Sequence, residues 1–245
     1  MTEYNSSSQI SRVKDVITNK GWYGYNDQNG GFNWPKSVGA IAGALSLDPI
    51  KVEEAITSAY TPMCLSQVEL EGENGETSSI SLLKALQNKG VSPHIWTVGD
   101  LSWQEKKFNR SGAEHYVDKS HYHCSSSDKL KDLEVIIDAQ VNSQDKPVKK
   151  RFIVVDDKEA NIRDIKGLVS QYLERGVSLG NYHMKLNEPQ ADATAFYNWF
   201  LLQLKSAQDE NEELVLILDF DGVVANTDAV LFGPAVENLA KLLNQ

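Results

Sequence analysis

The chain has 245 residues, 41% of them hydrophobic and 24% charged, and carries a formal net charge of −10. A chain of this length can bury one large core and a smaller second one, whereas its acidic balance disfavours nucleic acid, whose binding needs clustered Lys and Arg side chains. No apolar run reaches the roughly 18–20 residues that a membrane span requires, so we expect no membrane partner.

The first 72 residues have a helical pattern. Apolar residues recur at helical spacing over 9–19, 38–47 and 49–59, and no comparable strand pattern occurs among them. The stretch 21–35 between the first two helices is dense in glycine and aromatic residues. The polar run 69–77 then forms a joint to the rest of the chain. We therefore predict a small helical accessory domain.

From residue 81 onward, helical patterns alternate with short apolar runs. Such alternation predicts βα units, and hence an α/β fold in which helices cover both faces of a mainly parallel sheet, a Rossmann-like three-layer sandwich. Pro93 is anomalous in the first strand, because proline cannot donate to a strand ladder. The predicted helices begin at 81 and cover 128–141, 162–175 and 191–207, and the predicted strands are 91–96, 151–155, 177–184 and 214–218.

The candidate chemistry is concentrated in the segment 214–228. A continuous aliphatic run of the kind found in strands buried on both faces leads directly to Asp219. Asp221 points to the same side if the extended geometry continues, and Gly222 permits a sharp exit. Two carboxylates at the end of a buried strand repel each other unless a cation or a shared proton offsets their charge.

This segment resembles motif I, hhhhDxDGxxxxT, of the haloacid dehalogenase superfamily. In phosphatases of that family the first Asp attacks phosphorus and the second protonates the leaving oxygen. The resemblance assigns these roles to Asp219 and Asp221. It implies a phosphomonoester phosphatase that forms an aspartyl-phosphate intermediate and requires Mg²⁺.

Two further segments resemble motifs II and IV of the same family. The strand ending in Thr97 resembles motif II, which implies that Thr97 and the backbone N–H of the neighbouring Val98 bind a phosphate oxygen. The run DDxxxNI at 156–162 resembles motif IV, the acidic strand end that binds magnesium. It places Asp157 on the ion, Asp156 as a supporting or alternative ligand, and Asn161 in support.

Motif III of the family is a lysine that opens a helix upstream of motif IV. Lys129 supplies one at a suitable spacing, and Lys119 is the second candidate. Its ammonium group would neutralise phosphate charge next to the carboxylate nucleophile. The Mg²⁺ ligands implied are then Asp219, Asp157 and the backbone carbonyl oxygen of Asp221, because magnesium prefers hard oxygen ligands.

The motifs occur along the sequence in the order II, III, IV and I, whereas the family begins with motif I. The resemblance therefore implies a circular permutation, which sheet pairing tolerates because it does not depend on which loop is cut. We predict a catalytic core over 73–232, and a helical cap made jointly by 1–72 and 233–245.

Other phosphatase and metal-site interpretations are weaker. His123 and Cys124 begin a loop like the HCxxxxxR loop of cysteine-dependent phosphatases, but Leu130 stands where the arginine is required. His115, His121, His123 and Cys124 lack the paired spacing of a zinc site, so we interpret them as a hydrogen-bonded loop cluster. With only two cysteines, Cys64 and Cys124, and no signal-peptide pattern in MTEYNSSSQI, we expect free thiols and a cytoplasmic protein.

The resemblance implies that the substrate is a phosphorylated small molecule or a phosphopeptide. Five aromatic residues in the N-terminal region either form a small cap core or cover the active site and stack on an aromatic substrate, for which phosphotyrosine is the candidate. The alternatives are a phosphomutase or phosphotransferase acting on a small metabolite, and a non-catalytic phosphate-binding module. The aromatic residues are Trp22, Tyr23, Tyr25, Phe32 and Trp34.

Overall fold

The computed structural model describes residues 2–21, 33–62, 70–71, 77–125, 128–142, 149–185 and 189–244. Its strands are β1 (Leu70–Glu71), β2 (Thr77–Ser78), β3 (His94–Val98), β4 (Tyr122–Ser125), β5 (Lys150–Asp156), β6 (Ser178–His183) and β7 (Glu213–Asp219). Its helices are α1 (Thr2–Val16), α2 (Trp34–Leu45), α3 (Pro49–Thr57), α4 (Ser79–Asn88), α5 (Leu101–Ser111), α6 (Lys129–Asn142), α7 (Glu159–Glu174), α8 (Pro189–Asp209), α9 (Thr227–Val230) and α10 (Val236–Leu243).

The fold is α/β, as predicted, with a five-stranded parallel sheet flanked by helices. The strand order is β4-β3-β7-β5-β6, and β1 and β2 form a separate antiparallel pair. The central strands β5 and β7 are continuous apolar runs because both of their faces are covered. One buried cluster containing Ile153 and Leu216 lies on one face of the sheet, and a second cluster containing Val154 and Ile217 lies on the other.

The order of the strands explains where a site can form. β7 follows all the other strands in the sequence, yet it pairs with β3 on one side and with β5 on the other. Ligands of open parallel sheets bind at the carboxyl ends of such strands, where the order of connection reverses. The end of β7 is level with the end of β5, because Val155 pairs with Leu218, and it lies two residues before the end of β3, because Asp219 pairs with Trp96.

The N-terminal helices begin at clear sequence signals. The side chains of Asn33 and Asp48 accept hydrogen bonds from the first turns of α2 and α3, and each helix has a proline at its start. α10 packs against α1 and α3, and Asn238 donates to the backbone oxygen of Ala55. Buried residues of these helices belong to the same apolar cluster as one face of the sheet.

The structure differs from the sequence-based predictions at β3, at α5, at β4 with its histidine, and at the β1–β2 pair. β3 begins at His94, so Pro93 lies before the strand and removes no ladder hydrogen bond. α5 and β4 were not predicted. The histidines expected in a loop lie partly in regular structure, since His123 is in β4. The short β1–β2 pair occupies the predicted joint. Among the described residues, no helix is both long and apolar enough to cross a bilayer.

Candidate active site

The site lies where the ends of β5 and β7 meet the start of α6. Asp219 ends β7, Asp156 ends β5, and Lys129 is the first residue of α6. Asp219 and Asp156 are 3% and 0% exposed, respectively, although each carries a carboxylate. Buried carboxylates are costly unless they are paired with a cation or hydrogen-bonded.

Lys129 connects the two strand ends. Its Nζ lies 2.7 Å from Asp219 Oδ2 and 2.8 Å from Asp156 Oδ2. The ammonium also lies 4.3 Å from the centre of the Trp96 ring, while Trp96 Nε1 donates to the backbone oxygen of Lys129 at 3.0 Å. Burial acts to lower the pKa of Lys129, but the two carboxylates outweigh it and raise that pKa. Lys129 is therefore a cation at neutral pH.

Lys119, the alternative motif III lysine, occupies a different position. It opens a short 3₁₀ helix, Lys119–His121, that precedes β4, and its side chain is exposed. Of the two candidates, Lys129 is the lysine that lies beside the carboxylates of β5 and β7.

Asn161 and the backbone hold Asp156 in place. Asn161 Nδ2 donates to both Asp156 oxygens at 3.0 and 2.9 Å, and the Lys158 N–H donates to Asp156 Oδ1 at 2.8 Å. Together with Lys129, these donors leave neither Asp156 oxygen without a partner. Asn161 therefore supports Asp156.

Asp157 differs from its neighbour because its carboxylate is not fully satisfied. Its Oδ1 is buried without a hydrogen-bond partner among the described residues. Burial raises the pKa of Asp157, and the like charge of Asp156 adds to the effect. His183 Nε2 donates to the backbone oxygen of Asp157 at 3.0 Å, which fixes the turn. A buried carboxylate oxygen without a donor is a candidate metal ligand.

Gly222 makes room for Asp157. Its φ is +85°, and a Cβ added there would lie 2.6 Å from Asp157 Cγ, well inside van der Waals contact. The turn after β7 thus needs glycine both for its left-handed backbone and for the close approach of the aspartate.

Three carboxylates are close enough to bind one cation. Asp156, Asp157 and Asp219 each offer an oxygen, and these oxygens all lie within 4.8 Å of one another. Burial raises the pKa of Asp219 to about 7, with the charges of Asp156 and Asp221 adding to the effect and Lys129 opposing it. The hard oxygen donors and the unsatisfied Asp157 oxygen fit a divalent ion such as Mg²⁺.

Asp221 is bound by three side chains. Those of Lys107 and Gln104 were not part of the sequence-based prediction, whereas Thr227 is the last residue of the motif I pattern. Lys107 Nζ lies 2.6 Å from both carboxylate oxygens, Gln104 Nε2 donates to Oδ2 at 3.2 Å, and Thr227 Oγ1 donates to Oδ1. Burial acts to raise the pKa of Asp221, but Lys107 and the other donors outweigh it and lower that pKa. Asp221 is therefore a carboxylate in this conformation.

The burial of Lys107 is visible in the structure and not in the sequence. Lys107 lies on α5 together with Trp103, Gln104, Phe108 and Ser111, which form the buried face of that helix. A lysine among such positions is unusual, because lysine is almost never fully buried unless it is paired. Periodicity of apolar residues alone could not identify this face, since three of its five members are polar.

The predicted phosphate-binding residues lie beside this network. Thr97 is 1% exposed in β3 and pairs with Cys124 of β4. The backbone oxygen of Val98 accepts from Gln104 Nε2 at 2.9 Å, which connects the end of β3 to Asp221 through one side chain. Phosphate contacts of Thr97 and Val98 stay predictions.

The cysteine and histidine alternatives have a different geometry. Burial raises the pKa of Cys124 to about 11, so its thiol is protonated at neutral pH and is a poor nucleophile. His94 and His123 are hydrogen-bonded at 3.0 Å, and His121 stacks on His94 with ring centres 3.9 Å apart. His94 begins β3, and its hydrogen-bond partner His123 lies on the edge strand β4, which β3 separates from β7.

Trp34 packs inside the protein. Its ring stacks on Trp103 of α5 with centroids 3.7 Å apart, and its Nε1 donates to Glu53 Oε1 at 3.1 Å. At 2% exposure, Trp34 offers no open face to a substrate. Trp22, Tyr23, Tyr25 and Phe32 lie outside the described residues.

No family model, curated protein or solved structure matches this protein.

Proposed function

We propose that the protein is a magnesium-dependent phosphomonoester phosphatase of the haloacid dehalogenase type, with Asp219 as the nucleophile. The observation that carries the proposal is the pair of short contacts from Lys129 to Asp219 and Asp156, with the partly unsatisfied Asp157 alongside. A lone turn after a buried strand does not require a buried lysine and two further aspartates at the same place.

The arrangement of the sheet supports a permuted order of motifs. β7, which carries the motif I segment, lies between the strands of motifs II and IV. If β7 is counted first, the motifs follow in the order I, II, III and IV. The packing of α10 on α1 and α3 agrees with a helical cap contributed by both ends of the polypeptide.

The balance of charge supports a divalent ion. When the carboxylates of Asp156, Asp157, Asp219 and Asp221 are all ionised, they face the two ammonium groups of Lys107 and Lys129, and two negative charges remain. In the proposed enzyme, Asp157, Asp219 and the backbone oxygen of Asp221 hold the ion, and Asp156 supports them. When bound, Mg²⁺ would offset the excess charge and neutralise charge on the phosphoryl oxygens.

Each proposed step follows from a residue of the site. In the first step a carboxylate oxygen of Asp219 bonds to phosphorus, the P–O ester bond breaks, and the leaving oxygen takes a proton from Asp221. The charge of the bound phosphate favours the protonated form of Asp221 that this step needs. In the second step the oxygen of a water bonds to phosphorus while Asp221 takes a proton from that water, and the bond between the Asp219 oxygen and phosphorus breaks to release phosphate.

The test is hydrolysis of p-nitrophenyl phosphate with and without Mg²⁺. We expect activity that requires the ion, and that falls to background in Asp219→Asn. Asp209→Asn, on the exposed end of α8, is the matched control and keeps full activity. Acid-quenched enzyme should carry one phosphoryl group, which mass spectrometry detects. A robust rate in Asp219→Asn would remove this residue from its role.

The same chemistry would serve a phosphotransferase or phosphomutase, because only the second acceptor differs. Product analysis with competing acceptor alcohols separates these possibilities from hydrolysis. A phosphate-binding module without turnover would bind phosphate but release no p-nitrophenol. Phosphotyrosine in a protein or peptide stays a candidate substrate, and a cytoplasmic location stays a prediction.

A further inference from the structure

Lys107 is a buried charged residue beside Asp221, and the proposed mechanism gives it no role. Its side chain is 2% exposed, and its Nζ lies 2.6 Å from each oxygen of Asp221. The rings of Trp103 and Phe220 lie 5.5 and 5.7 Å from the ammonium and complete its surroundings. Burying a lysine costs desolvation free energy, and the ion pair with Asp221 offsets that cost.

The contacts of Asp221 define one orientation of its carboxylate. Lys107 binds both oxygens, Gln104 binds Oδ2 and Thr227 binds Oδ1. Two of these three residues belong to α5. The position of Asp221 is therefore set largely by a helix that follows β3, while Asp219 is held by Lys129 of α6.

α5 is itself held firmly against the N-terminal helices. Trp103 stacks on Trp34, Lys106 pairs with Glu53, and Arg110 binds both oxygens of Glu54 at 3.0 Å. The carboxylate of Asp100 caps the helix by accepting from the Trp103 N–H at 3.0 Å. The helix that presents Lys107 thus packs on α2 through Trp34 and pairs with α3 through two ion pairs.

We infer that Lys107 is a positioning residue of the active site, which holds the Asp221 carboxylate in the orientation required for proton transfer to the leaving oxygen. The inference rests on the proposed function. When the P–O ester bond breaks, its electron pair stays on the ester oxygen, which takes the Asp221 proton. A misplaced Asp221 therefore harms esters whose leaving group needs that proton most.

The experiment compares two aryl esters of similar shape. p-Nitrophenolate leaves readily without a proton, whereas phenolate is a poorer leaving group. We expect Lys107→Met to lower kcat/KM for phenyl phosphate by about 100-fold and for p-nitrophenyl phosphate by about 10-fold or less. The control is Lys205→Met, an exposed lysine of α8 that pairs with Asp209 and not with Asp221, for which both values stay within about threefold.

A double-mutant cycle guards against a folding defect. Lys107→Met leaves a buried charge unpaired, but Lys107→Met combined with Asp221→Asn removes both charges. If Lys107 acts through Asp221, adding Lys107→Met to Asp221→Asn costs little further activity.

Several results would overturn the inference. One is an equal loss of kcat/KM for both esters in Lys107→Met. Another is a loss of kcat/KM in the double variant equal to the product of the two single losses. A third is a higher kcat/KM for phenyl phosphate in Lys107→Met than in the wild type. A double variant that does not fold would assign Lys107 to the core alone. Wild-type protein that hydrolyses neither ester would instead refute the proposed function, and the inference with it.

Discussion

Gly222 shows how one residue can serve both the backbone and the site. Its positive φ places the turn after β7, and its missing Cβ lets the carboxylate of Asp157 lie against the backbone. Gly90 is a useful comparison, because it has a similar φ of +73° with no atom within 4 Å of an added Cβ. Comparing alanine substitutions at the two glycines therefore separates the free-energy cost of the left-handed backbone from that of the clash with Asp157.

We expect Gly222→Ala and Gly90→Ala each to lose about 1–2 kcal/mol of unfolding free energy from the left-handed conformation. Only Gly222→Ala should also displace Asp157, because its Cβ clashes with that carboxylate. Urea unfolding and a Mg²⁺ titration of activity measure the two effects. An unchanged Mg²⁺ requirement in Gly222→Ala would separate Asp157 from the ion.

The raised pKa of Asp219 predicts that the free energy of unfolding depends on pH in the absence of metal. Its pKa is raised to about 7, mainly by burial, whereas an unfolded aspartate titrates near 3.9. The folded state therefore binds the proton more tightly, and the protein loses stability as pH rises from about 4 to about 7. Asp219→Asn lacks this loss, so its stability relative to wild type should grow over that range.

The unfolding free energy that Asp219→Asn gains relative to wild type should reach the order of a few kcal/mol and level off above about pH 7. Thermal or urea unfolding with a chelator, at intervals from pH 4 to pH 8, measures it. Asp209→Asn, which is exposed, provides the comparison. A difference that stays constant with pH would show that Asp219 titrates at its ordinary value.

Among the helices and strands, the sequence predicted best the strands that are buried on both faces. β5 and β7 were identified because strands covered on both faces are aliphatic throughout. α5 was missed because the face that it buries includes Gln104 and Lys107, so apolar periodicity is broken. β4 was missed because an edge strand of four residues, YHCS, carries no such run.

The residues of the candidate site were likewise predicted only where a local sequence pattern marks them. Asp219 and Asp221 were found because a motif places them at the end of a strong strand. Lys107 and Gln104 act across 114 and 117 residues of sequence separation from Asp221, and nothing local indicates that partnership. Their role depends on how α5 packs, which the pattern of the helix does not reveal.

The interface of α2 with α5 makes a prediction about Trp34. Its ring is buried against Trp103, so Trp34→Ala should cost about 3–5 kcal/mol of unfolding free energy. The ratio of kcat/KM for phosphotyrosine to that for a sugar phosphate should not change, because the ring does not face a substrate. Leu202→Ala, at a 67% exposed position, serves as the control for both measurements. A changed ratio would return Trp34 to the substrate site.

At the scale of the whole molecule, the proposed permutation can be reversed by design. Joining the two termini and opening the turn after Asn211 would place β7 first, which restores the motif order I to IV. Because α1 packs against α10, a flexible linker of about 12 residues should suffice. We expect the redesigned protein to fold and to retain Mg²⁺-dependent hydrolysis.

Thermal unfolding and hydrolysis of p-nitrophenyl phosphate would check this design. Opening the polypeptide instead inside α7, which packs on β5 and β6, should abolish folding and provides the negative control. A redesigned protein that is folded but inactive would mean that the order of the segments matters to the site, and not only their pairing.

The central place of β7 also has a consequence for biosynthesis. As the ribosome releases the polypeptide, β3, β4, β5 and β6 emerge before the strand that joins them. Until β7 arrives, β3 and β5 each expose an inner edge able to pair with other proteins. A nascent polypeptide that stalls before residue 213 would thus lack both Asp219 and the strand that unites the two halves of the sheet.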